Sequence, residues 1–398
     1  MTLLIKNAKL ISNGVDVIRN ILIENGVIKK IGSGFMIADE IIDAEENYVI
    51  PGMIDCHVHF REPGLSHKED WKTGSVAAVK GGITTVIDMP NTKPPTFSVK
   101  ELNKKRKLAK KSIINHGFHF GASADNNIDE IKKAKNVAST KVFMNNSTGN
   151  LLIKDLKLIE EIFKVSRVVA THAEGKQVEE AVGLANKTNK RLYLCHLSLK
   201  SEIDFLKKNK TTNVFCEVTP HHLFLTNDDF KKKKGFAKML PTLKHKKDQK
   251  ALWDAIGYGL IDTIGTDHAP HTKEEKKAKN FPAGIPGCET VLPLLLDAVN
   301  KGKITLTKVV ELTSKNPAEI FGIENKGRIK VGYDADLVII DMNIKKKVDN
   351  LVAKCGWSTF EGKILKGWPI TTIVNGKVVY HGGDIIMYQG KEVVFNEF

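Results

Sequence analysis

The chain has 398 residues, of which 41% are hydrophobic, so it is long enough for one large α/β domain and a smaller companion. The net charge of +15 comes from lysines spread along the whole chain, which favours a solvated surface over a nucleic-acid partner. No apolar run reaches the roughly 18 residues of a membrane helix. The start, MTLLIKNAKL, lacks the apolar core of a signal peptide, and the five cysteines are scattered. These features predict a reduced, cytoplasmic protein without a nucleic-acid or membrane partner.

The two ends of the chain predict a small β domain. The N-terminal segment consists of short strand-like stretches with glycine turns, such as VIRNILIENGVIKKIG. The C-terminal segment repeats that pattern in ADLVIID and TTIVNGKVVYHGG. We therefore expect residues 1–50 and 331–398 to pair into one small composite β domain built from both chain ends.

Between these ends, residues 51–330 predict an α/β fold of the (β/α)8 TIM-like barrel class. Eight short apolar runs alternate with longer amphipathic, lysine-rich segments that suit helices. In chain order the runs are MIDCHVHF, GITTVIDM, HGFHFGA, KVFM, RVVATHA, LYLCHLS, VFCEVTP and DTIGTDHA. Eight strand–helix units are the number that closes this parallel barrel, and its catalytic groups lie at the carboxyl ends of the strands.

The first run raises the question of a metal site. In IDCHVHFREPG, His57 and His59 are two residues apart, so on a strand they share a face. An isolated pair of this kind is more often a hydrogen-bonded pair at a strand end. The rest of the chain favours a metal, because four more candidate ligands fall at predicted strand ends: Lys141, His172, His196 and Asp267. Four imidazoles and a carboxylate suit one or two divalent ions, and zinc is the expected ion.

The fourth run offers a lysine where a two-metal site needs an anionic bridge. No Asp or Glu occurs from Val142 to Lys154. The apolar neighbours Val142, Phe143 and Met144 would desolvate Lys141, which favours the neutral amine. A neutral amine reacts with carbon dioxide to give a carbamate, which is an anionic ligand. The alternative is a lysine that extends to solvent, but beside the other ligands the sequence favours a carbamate on Lys141.

These motifs resemble those of the dihydroorotase family in the amidohydrolase superfamily. The resemblance rests on PGMIDCHVHFREPG, GGITTVIDMPNTKPPT, THAE, CHLS, EVTPHHL and TDHAPHT, and it covers the barrel from about Pro51 to Ala318. It implies the reversible cyclisation of N-carbamoyl-L-aspartate to L-dihydroorotate, a small-molecule reaction of pyrimidine biosynthesis. It also implies two metal ions, with His57, His59 and Asp267 at one, His172 and His196 at the other, and carboxylated Lys141 as the bridge.

The resemblance also assigns residues to the substrate. Arg61 matches a residue that would grip the carboxylate outside the ring in a bidentate fork. Asn91 and His271 match the family's other carboxylate contacts. Ala283 and Gly284 match the segment whose backbone meets the ring amide. The structural alternatives are a turn residue for Asn91, a loop hydrogen bonder for His271 and a turn glycine for Gly284.

In the family mechanism a hydroxide that bridges the metals attacks the ring amide. Asp267 matches the residue that takes its proton and passes it to the leaving ring nitrogen, acting as base and then acid. The alternatives are another cyclic amidase, either an allantoinase or a hydantoinase, or a non-catalytic scaffold associated with aspartate transcarbamoylase. Arg61 argues against the first, because allantoinases carry Asn there and their substrate lacks the carboxylate. The complete ligand set argues against the second.

Three further features near the predicted site carry weaker signals. In KMLPTLK, Leu240 stands where the family often has a polar substrate contact. Cys56 and Cys195 lie next to ligand histidines and are expected to face the helices as small apolar residues. The polar loop NNSTGN after the fourth strand suits either a lid over the substrate or a plain surface turn.

Overall fold

The structure, a computed structural model, describes residues 2–12, 14–34, 36–147 and 151–396. The strands, in chain order, are β1 (Thr2–Ser12), β2 (Val15–Glu24), β3 (Val27–Gly32), β4 (Glu40–Asp43), β5 (Tyr48–Pro51), β6 (Met53–Val58), β7 (Ile83–Asp88), β8 (Asn115–Phe118), β9 (Phe120–Gly121), β10 (Thr140–Phe143), β11 (Val168–His172), β12 (Arg191–Leu194), β13 (Val214–Val218), β14 (Thr263–Ile264), β15 (Leu337–Lys347), β16 (Ile364–Val374), β17 (Lys377–His381) and β18 (Asp384–Ile385).

The helices surround the barrel strands and extend from its loops. In chain order they are α1 (Trp71–Lys80), α2 (Val99–Ala109), α3 (Ile128–Lys133), α4 (Leu156–Val165), α5 (Lys176–Thr188), α6 (Lys200–Asn209), α7 (Pro220–Phe224), α8 (Asn227–Lys233), α9 (Lys246–Gly257), α10 (Lys273–Lys277), α11 (Val291–Asn300), α12 (Leu306–Val310) and α13 (Asn316–Phe321). A 3-10 helix spans Lys234–Ala237 and a π-helical turn spans Glu311–Lys315. Within the described ranges, no helix combines the length and the apolar character needed to cross a bilayer.

Eight parallel strand positions form the barrel that the sequence predicts. β6, β7 and β8 pair in order, and β9 to β14 pair in order in a second parallel sheet. The two sheets connect through His119 between β8 and β9, and through a parallel bridge between Val58 and His268 on the other side. β8 with its continuation β9 is the third barrel strand, so the barrel class is confirmed.

The barrel strands are apolar because both of their faces are covered. Every residue of β6 and β7 is buried, as expected for parallel strands that lie between a packed interior and a layer of helices. The helices begin at residues suited to that position. At the start of α1, for example, the Asp70 carboxylate accepts hydrogen bonds from the backbone N–H groups of Lys72 and Thr73.

The two chain ends form one nine-stranded sheet, which confirms the composite β domain. Its strand order is β18–β17–β16–β15–β5–β1–β2–β3, with β4 paired to β1. β15 runs antiparallel to β5, and this pairing joins the C-terminal part to the N-terminal part. After β18 the chain returns to the barrel, where Val393 and Phe395 pack in the same buried cluster as Phe321. The division of the chain at residues 50 and 330 stays a prediction.

Candidate metal centre and substrate pocket

The six predicted metal ligands converge at the carboxyl ends of the barrel strands. They are His57 and His59 at the end of β6, Lys141 in β10, His172 in β11, His196 after β12 and Asp267 after β14. All six line one pocket, together with Arg61, Asn91, Phe143, Ser147, Leu240, Ala269, Ala283 and Gly284. Of the predicted substrate residues, His271 lies behind this wall and contacts it. The pocket therefore brings together side chains that the sequence spreads over more than half of the chain.

Three residues of the pocket leave their strands through a left-handed backbone conformation. Arg61, His196 and Asp267 have φ values of 66°, 41° and 48°. This region is unfavourable for residues other than glycine, and such strain gathers at functional sites. In this chain the left-handed backbone conformation turns each of these side chains toward the pocket, at the point where regular strand pairing ends.

His57, His59 and Asp267 form the tighter of two ligand groups. Asp267 Oδ1 lies 3.3 Å from His57 Nε2 and 2.9 Å from His59 Nε2. Burial disfavours a charged His57, but the carboxylates of Glu217 and Asp267 more than offset this and hold the pKa of His57 well above its usual value. Burial also opposes ionisation of Asp267, yet His57 and His59 hold the pKa of this carboxyl well below its usual range. The three side chains therefore gather around a single positive charge, which a proton or a metal can supply.

Each histidine of this group is oriented by a partner behind it. His57 Nδ1 donates to Glu217 Oε1 over 2.8 Å, and His59 Nδ1 donates to Asn91 Oδ1 over 2.6 Å. Both imidazoles therefore present Nε2 to Asp267, and metal-binding histidines are commonly held by such a partner at the other ring nitrogen. Asn91, predicted as a substrate contact, thus also orients a candidate ligand.

Glu217 is a site residue that the sequence analysis missed. It is fully buried in β13 and accepts hydrogen bonds from His57 Nδ1, from the backbone N–H of His196 and from the Tyr193 hydroxyl. The signal was present in VFCEVTP, where a glutamate interrupts an otherwise apolar strand. Because a buried carboxylate needs partners, this interruption by itself indicated a polar network inside the barrel.

Glu217→Gln is expected to weaken metal binding about 10–100-fold, the usual cost of losing such a supporting partner. Glutamine keeps the shape of the side chain but removes the charge that stabilises and orients His57. Metal affinity, measured by competition with a chelator, checks this expectation. Glu179→Gln, at an exposed position on α5, is the control. Equal affinities of the two variants would show that Glu217 does not support the metal site.

His172, His196 and Lys141 form the second group. His172 Nδ1 lies 2.9 Å from His196 Nε2. Burial and, after it, the charge of Lys141 lower the pKa of His172 to about 3. Burial and the neighbouring His172 also lower the pKa of His196 well below its usual value. Both imidazoles are therefore neutral, which is the form that binds metals.

The donor atoms of the two groups fit divalent cations. His57, His59 and Asp267 form a cluster in which one ligand atom from each residue lies within 4.8 Å of the other two. His196 Nδ1 is buried and, among the described residues, has no hydrogen-bond partner. An orphaned buried nitrogen is costly, and a bond to a metal would satisfy it. Imidazole and carboxylate donors of this kind are the usual ligands of catalytic metal sites.

The prediction for the two cysteines was wrong. Cys195 faces the barrel interior, where its Sγ accepts a hydrogen bond of 2.8 Å from Lys141 Nζ, and Cys56 packs in the same interior cluster. Strand faces alternate only where pairing is regular. The pairing of β6 with β7 is irregular after Asp55, and His196 has a positive φ, so adjacent residues face inward at both places.

Arg61 lies buried in the pocket wall beside the first ligand group. Its Nε donates to the Pro270 carbonyl over 3.1 Å, and its Nη2 lies 3.2 Å from His271 Nε2. Burial lowers the pKa of Arg61 to about 10, so the guanidinium stays charged at neutral pH. β6 ends at Val58, so Arg61 lies beyond the strand and reaches the pocket through a left-handed turn.

His271 and the segment after α10 form the adjoining wall. His271 Nε2 donates to the Ala283 carbonyl over 2.9 Å, and its Nδ1 accepts from Lys68 Nζ over 3.2 Å. Burial, with nearby cations, lowers the pKa of His271 to about 3, so this ring is neutral. Gly284 has a φ of 127°, and an added Cβ would lie 2.5 Å from the Ala269 carbonyl oxygen. Only glycine fits where this backbone forms the wall.

Leu240, where the sequence analysis noted the absence of a polar substrate contact, lines the pocket with an apolar side chain. Phe143, the last residue of the fourth barrel strand, and Ser147 after it line the pocket as well and were not among the predicted residues. The loop NNSTGN is described only as far as Ser147, because residues 148–150 lie outside the described residues. The predicted lid therefore lies partly outside the described residues.

Comparison with known proteins places most of the sequence in one family. The model of the amidohydrolase family matches residues 48–379. A dihydroorotase from Methanosarcina acetivorans is 38% identical, and the match covers 94% of this chain and 91% of that protein. A dihydroorotase from Pyrococcus furiosus is 40% identical, with 92% of this chain and 89% of that protein covered.

Solved structures agree with the fold over the whole chain. An L-hydantoinase (dihydropyrimidinase) from Arthrobacter aurescens has a TM-score of 0.93 at 29% identity, and the match covers 98% of this chain and 99% of that one. A dihydropyrimidinase from Brevibacillus agri has a TM-score of 0.91 at 26% identity, with 100% and 99% covered. The chain therefore belongs to the amidohydrolase family, as a relative of its dihydroorotases.

Proposed function

We propose that this chain is a dihydroorotase, a hydrolase of cyclic amides that interconverts N-carbamoyl-L-aspartate and L-dihydroorotate. The observation that carries the proposal is the buried guanidinium of Arg61 beside the six candidate metal ligands. A buried cation in a pocket wall requires an anionic partner, and dihydroorotate brings a carboxylate outside its ring. The identity to dihydroorotases over nearly the full chain supports the same substrate.

The proposed metals are two divalent ions, with zinc as the expected ion. The residues that would hold them are His57, His59 and Asp267 for one ion, His172 and His196 for the other, and Lys141, as a carbamate, between the two. When bound, the metals supply Lewis acidity that activates water and polarises the amide carbonyl. For Lys141 to serve as a carbamate, its Nζ must leave the Cys195 thiol, which it contacts at 2.8 Å.

Asp267 is proposed to carry the proton in both directions of the reaction. Its carboxylate contacts the imidazoles of His57 and His59, which keep it ionised and ready to accept a proton. In ring opening it takes a proton from the attacking water and gives it to the leaving ring nitrogen. In ring closure it removes a proton from the carbamoyl nitrogen, which attacks the side-chain carboxyl carbon. The displaced carboxyl oxygen takes that proton from Asp267 and a second one from solvent, and leaves as water.

Arg61, Asn91 and His271 are proposed to hold the substrate carboxylate. Arg61 offers two parallel N–H donors that match the two oxygens of a carboxylate. Because His59 occupies Asn91 Oδ1, the side-chain N–H groups of Asn91 are the part left for a substrate oxygen. His271 Nε2 lies 3.2 Å from the Arg61 guanidinium, and for His271 to join in, its N–H must turn from the Ala283 carbonyl to the substrate carboxylate.

A hydantoinase is the second candidate, because hydantoinase structures match this fold with TM-scores of 0.93 and 0.90. Their sequence identities of 29% and 26% are lower than the 38% and 40% of the dihydroorotases. Hydantoin itself lacks a carboxylate, so a hydantoinase would leave Arg61 buried without an anionic partner in the substrate. An unpaired buried charge of this kind opposes binding, which favours dihydroorotate.

Activity on a panel of cyclic amides tests the proposal. The wild type is expected to hydrolyse dihydroorotate and to show little activity on hydantoin or allantoin. Arg61→Lys is expected to lose activity although the charge is kept, because lysine lacks the fork. Arg61→Met is expected to lose more, about 2–5 kcal/mol in transition-state stabilisation, from kcat/KM for dihydroorotate. Comparable rates on all three rings, or unchanged kinetics of Arg61→Met, would refute the assignment of substrate and residue together.

We also propose a cytoplasmic location and an association with aspartate transcarbamoylase, both of which rest on the sequence. The association is tested by sedimentation of the purified chain with and without that enzyme. A faster-sedimenting species that contains both proteins is expected, and independent sedimentation at micromolar concentrations would contradict the association.

A further inference from the structure

Lys276 is a buried lysine with hydrogen bonds to three carbonyl oxygens, and the proposed reaction gives it no role. It lies in α10 and is 1% exposed. Its Nζ donates to the carbonyl oxygens of Gly284 at 2.7 Å, Pro282 at 2.9 Å and Lys238 at 3.3 Å. An ammonium group has three N–H donors, so each of them has a carbonyl acceptor.

One of these carbonyls belongs to a residue that lines the substrate pocket, and the other two belong to residues beside that wall. Gly284 lines the pocket, and Pro282 precedes Ala283, whose carbonyl accepts a hydrogen bond from His271. The Gly284 N–H donates to the Lys238 carbonyl over 2.9 Å, so a backbone hydrogen bond also joins these two chain segments directly. Lys276 therefore fixes two chain segments from behind, at the place where one of them forms the wall.

Burial and neighbouring cations oppose the charge of Lys276, although the three carbonyl oxygens favour it. Burial is the largest cause, and the cations Lys238 and Arg61 add repulsion, so the pKa of Lys276 falls to about 7 although Glu275 opposes the fall. The Trp357 ring lies 5.6 Å from Nζ and brings no charge. The group therefore changes protonation near neutral pH. A neutral amine has only two N–H donors and a lone pair, so one buried carbonyl would lose its donor.

We propose that Lys276 is a positioning residue that holds the 282–284 segment in the shape that binds substrate, and that it does so only as an ammonium ion. This inference rests on the proposed function, because it concerns the wall expected to meet the ring amide. As the pH rises through neutrality, Lys276 loses one of its three hydrogen bonds, two of which hold this segment, and substrate affinity falls. Proton transfer at Asp267 does not involve this segment, so KM changes rather than kcat.

Substrate binding is coupled to the same proton. A carboxylate at Arg61 neutralises one of the two cations that repel Lys276, which raises the pKa of Lys276. Binding near neutral pH is therefore accompanied by proton uptake at Lys276, and binding becomes weaker as the pH rises.

The kinetic test compares Lys276→Met with Lys277→Met, which removes an exposed lysine from the same helix. Below pH 7, KM for dihydroorotate is expected to rise about tenfold in Lys276→Met, with kcat little changed. In the wild type and in Lys277→Met, KM is expected to rise as the pH passes about 7, the pKa of Lys276, and Lys276→Met is expected to lose this rise. An equal pH-dependent rise in Lys276→Met and the wild type would overturn the proposal.

Tryptophan fluorescence gives a readout that does not depend on catalysis. Loss of a charge 5.6 Å from the Trp357 ring is expected to change its emission with a midpoint near pH 7. Lys276→Met and Trp357→Phe are each expected to abolish this transition. If Lys276→Met does not fold, the wild type and Trp357→Phe provide the test. A fluorescence transition near pH 7 that is present in the wild type and absent in Trp357→Phe supports the proposal. A wild type without this transition overturns it. An intact transition without dihydroorotate turnover would count against the proposed function alone.

Discussion

Asp267→Asn is expected to lose about 10²–10⁴-fold in kcat while it still binds dihydroorotate. Asparagine keeps the shape of aspartate and its contacts with His57 and His59, but it cannot accept the proton that the reaction must move. Steady-state kinetics in both directions gives kcat, and calorimetric titration with dihydroorotate gives the binding constant. Retention of more than about a tenth of the wild-type rate would rule out Asp267 as the proton carrier.

The metal content of Asp267→Asn has to be measured with its kinetics, because Asp267 is also a proposed ligand. A lost kcat at unchanged metal content assigns proton transfer to Asp267. If both kcat and the metal content fall, and excess metal restores both, Asp267 acts only as a metal ligand. Asp228→Asn is the control, since the Asp228 side chain is 62% exposed on α8, and it is expected to keep full activity.

Lys141→Ala is expected to lose at least about 10²-fold in activity, since even a partner outside the ligand set is worth 10–100-fold. The reason is the loss of the anionic bridge proposed between the two ligand groups. Small carboxylic acids such as acetate supply the missing anion, so partial rescue by added acid is expected. Lys154→Ala, at an exposed position after the same strand, is expected to keep its activity and to show no rescue.

The carbamate itself has a direct test. After incubation with isotopically labelled bicarbonate and metal, the wild type is expected to give a carbamate signal by carbon NMR, and Lys141→Ala is expected to lack it. An unmodified Lys141 amine in a fully active enzyme with two metals would refute the carbamate. It would also require that Lys141 stays on the Cys195 thiol during catalysis.

The sequence by itself determined the barrel and the set of candidate ligands. Eight apolar runs separated by amphipathic stretches can bury both faces of every strand in a closed parallel sheet under helices. The carboxyl ends of all barrel strands meet at one face, so residues that end the runs had to converge there. His172 and His196, which end two neighbouring runs, thus lie with ring nitrogens 2.9 Å apart.

Only the tertiary structure decided which residues support those ligands from behind. Glu217 and Cys195 face the interior through contacts with His57 and Lys141, which lie in other strands. The charged sequence around Lys276 is typical of an exposed helix, yet Lys276 is buried against backbone carbonyls of two loops.

The physical reason is that the alternation of side chains along a strand predicts their direction only in part. A period of two assigns faces only while a strand is regular, and it fails where pairing shifts or φ turns positive. In this barrel that happens at the strand ends, as at Arg61 and Asp267, because there the backbone must turn to aim side chains into the pocket. Local pattern therefore identified the residues that reach the site, while their orientation and their partners depended on long-range packing.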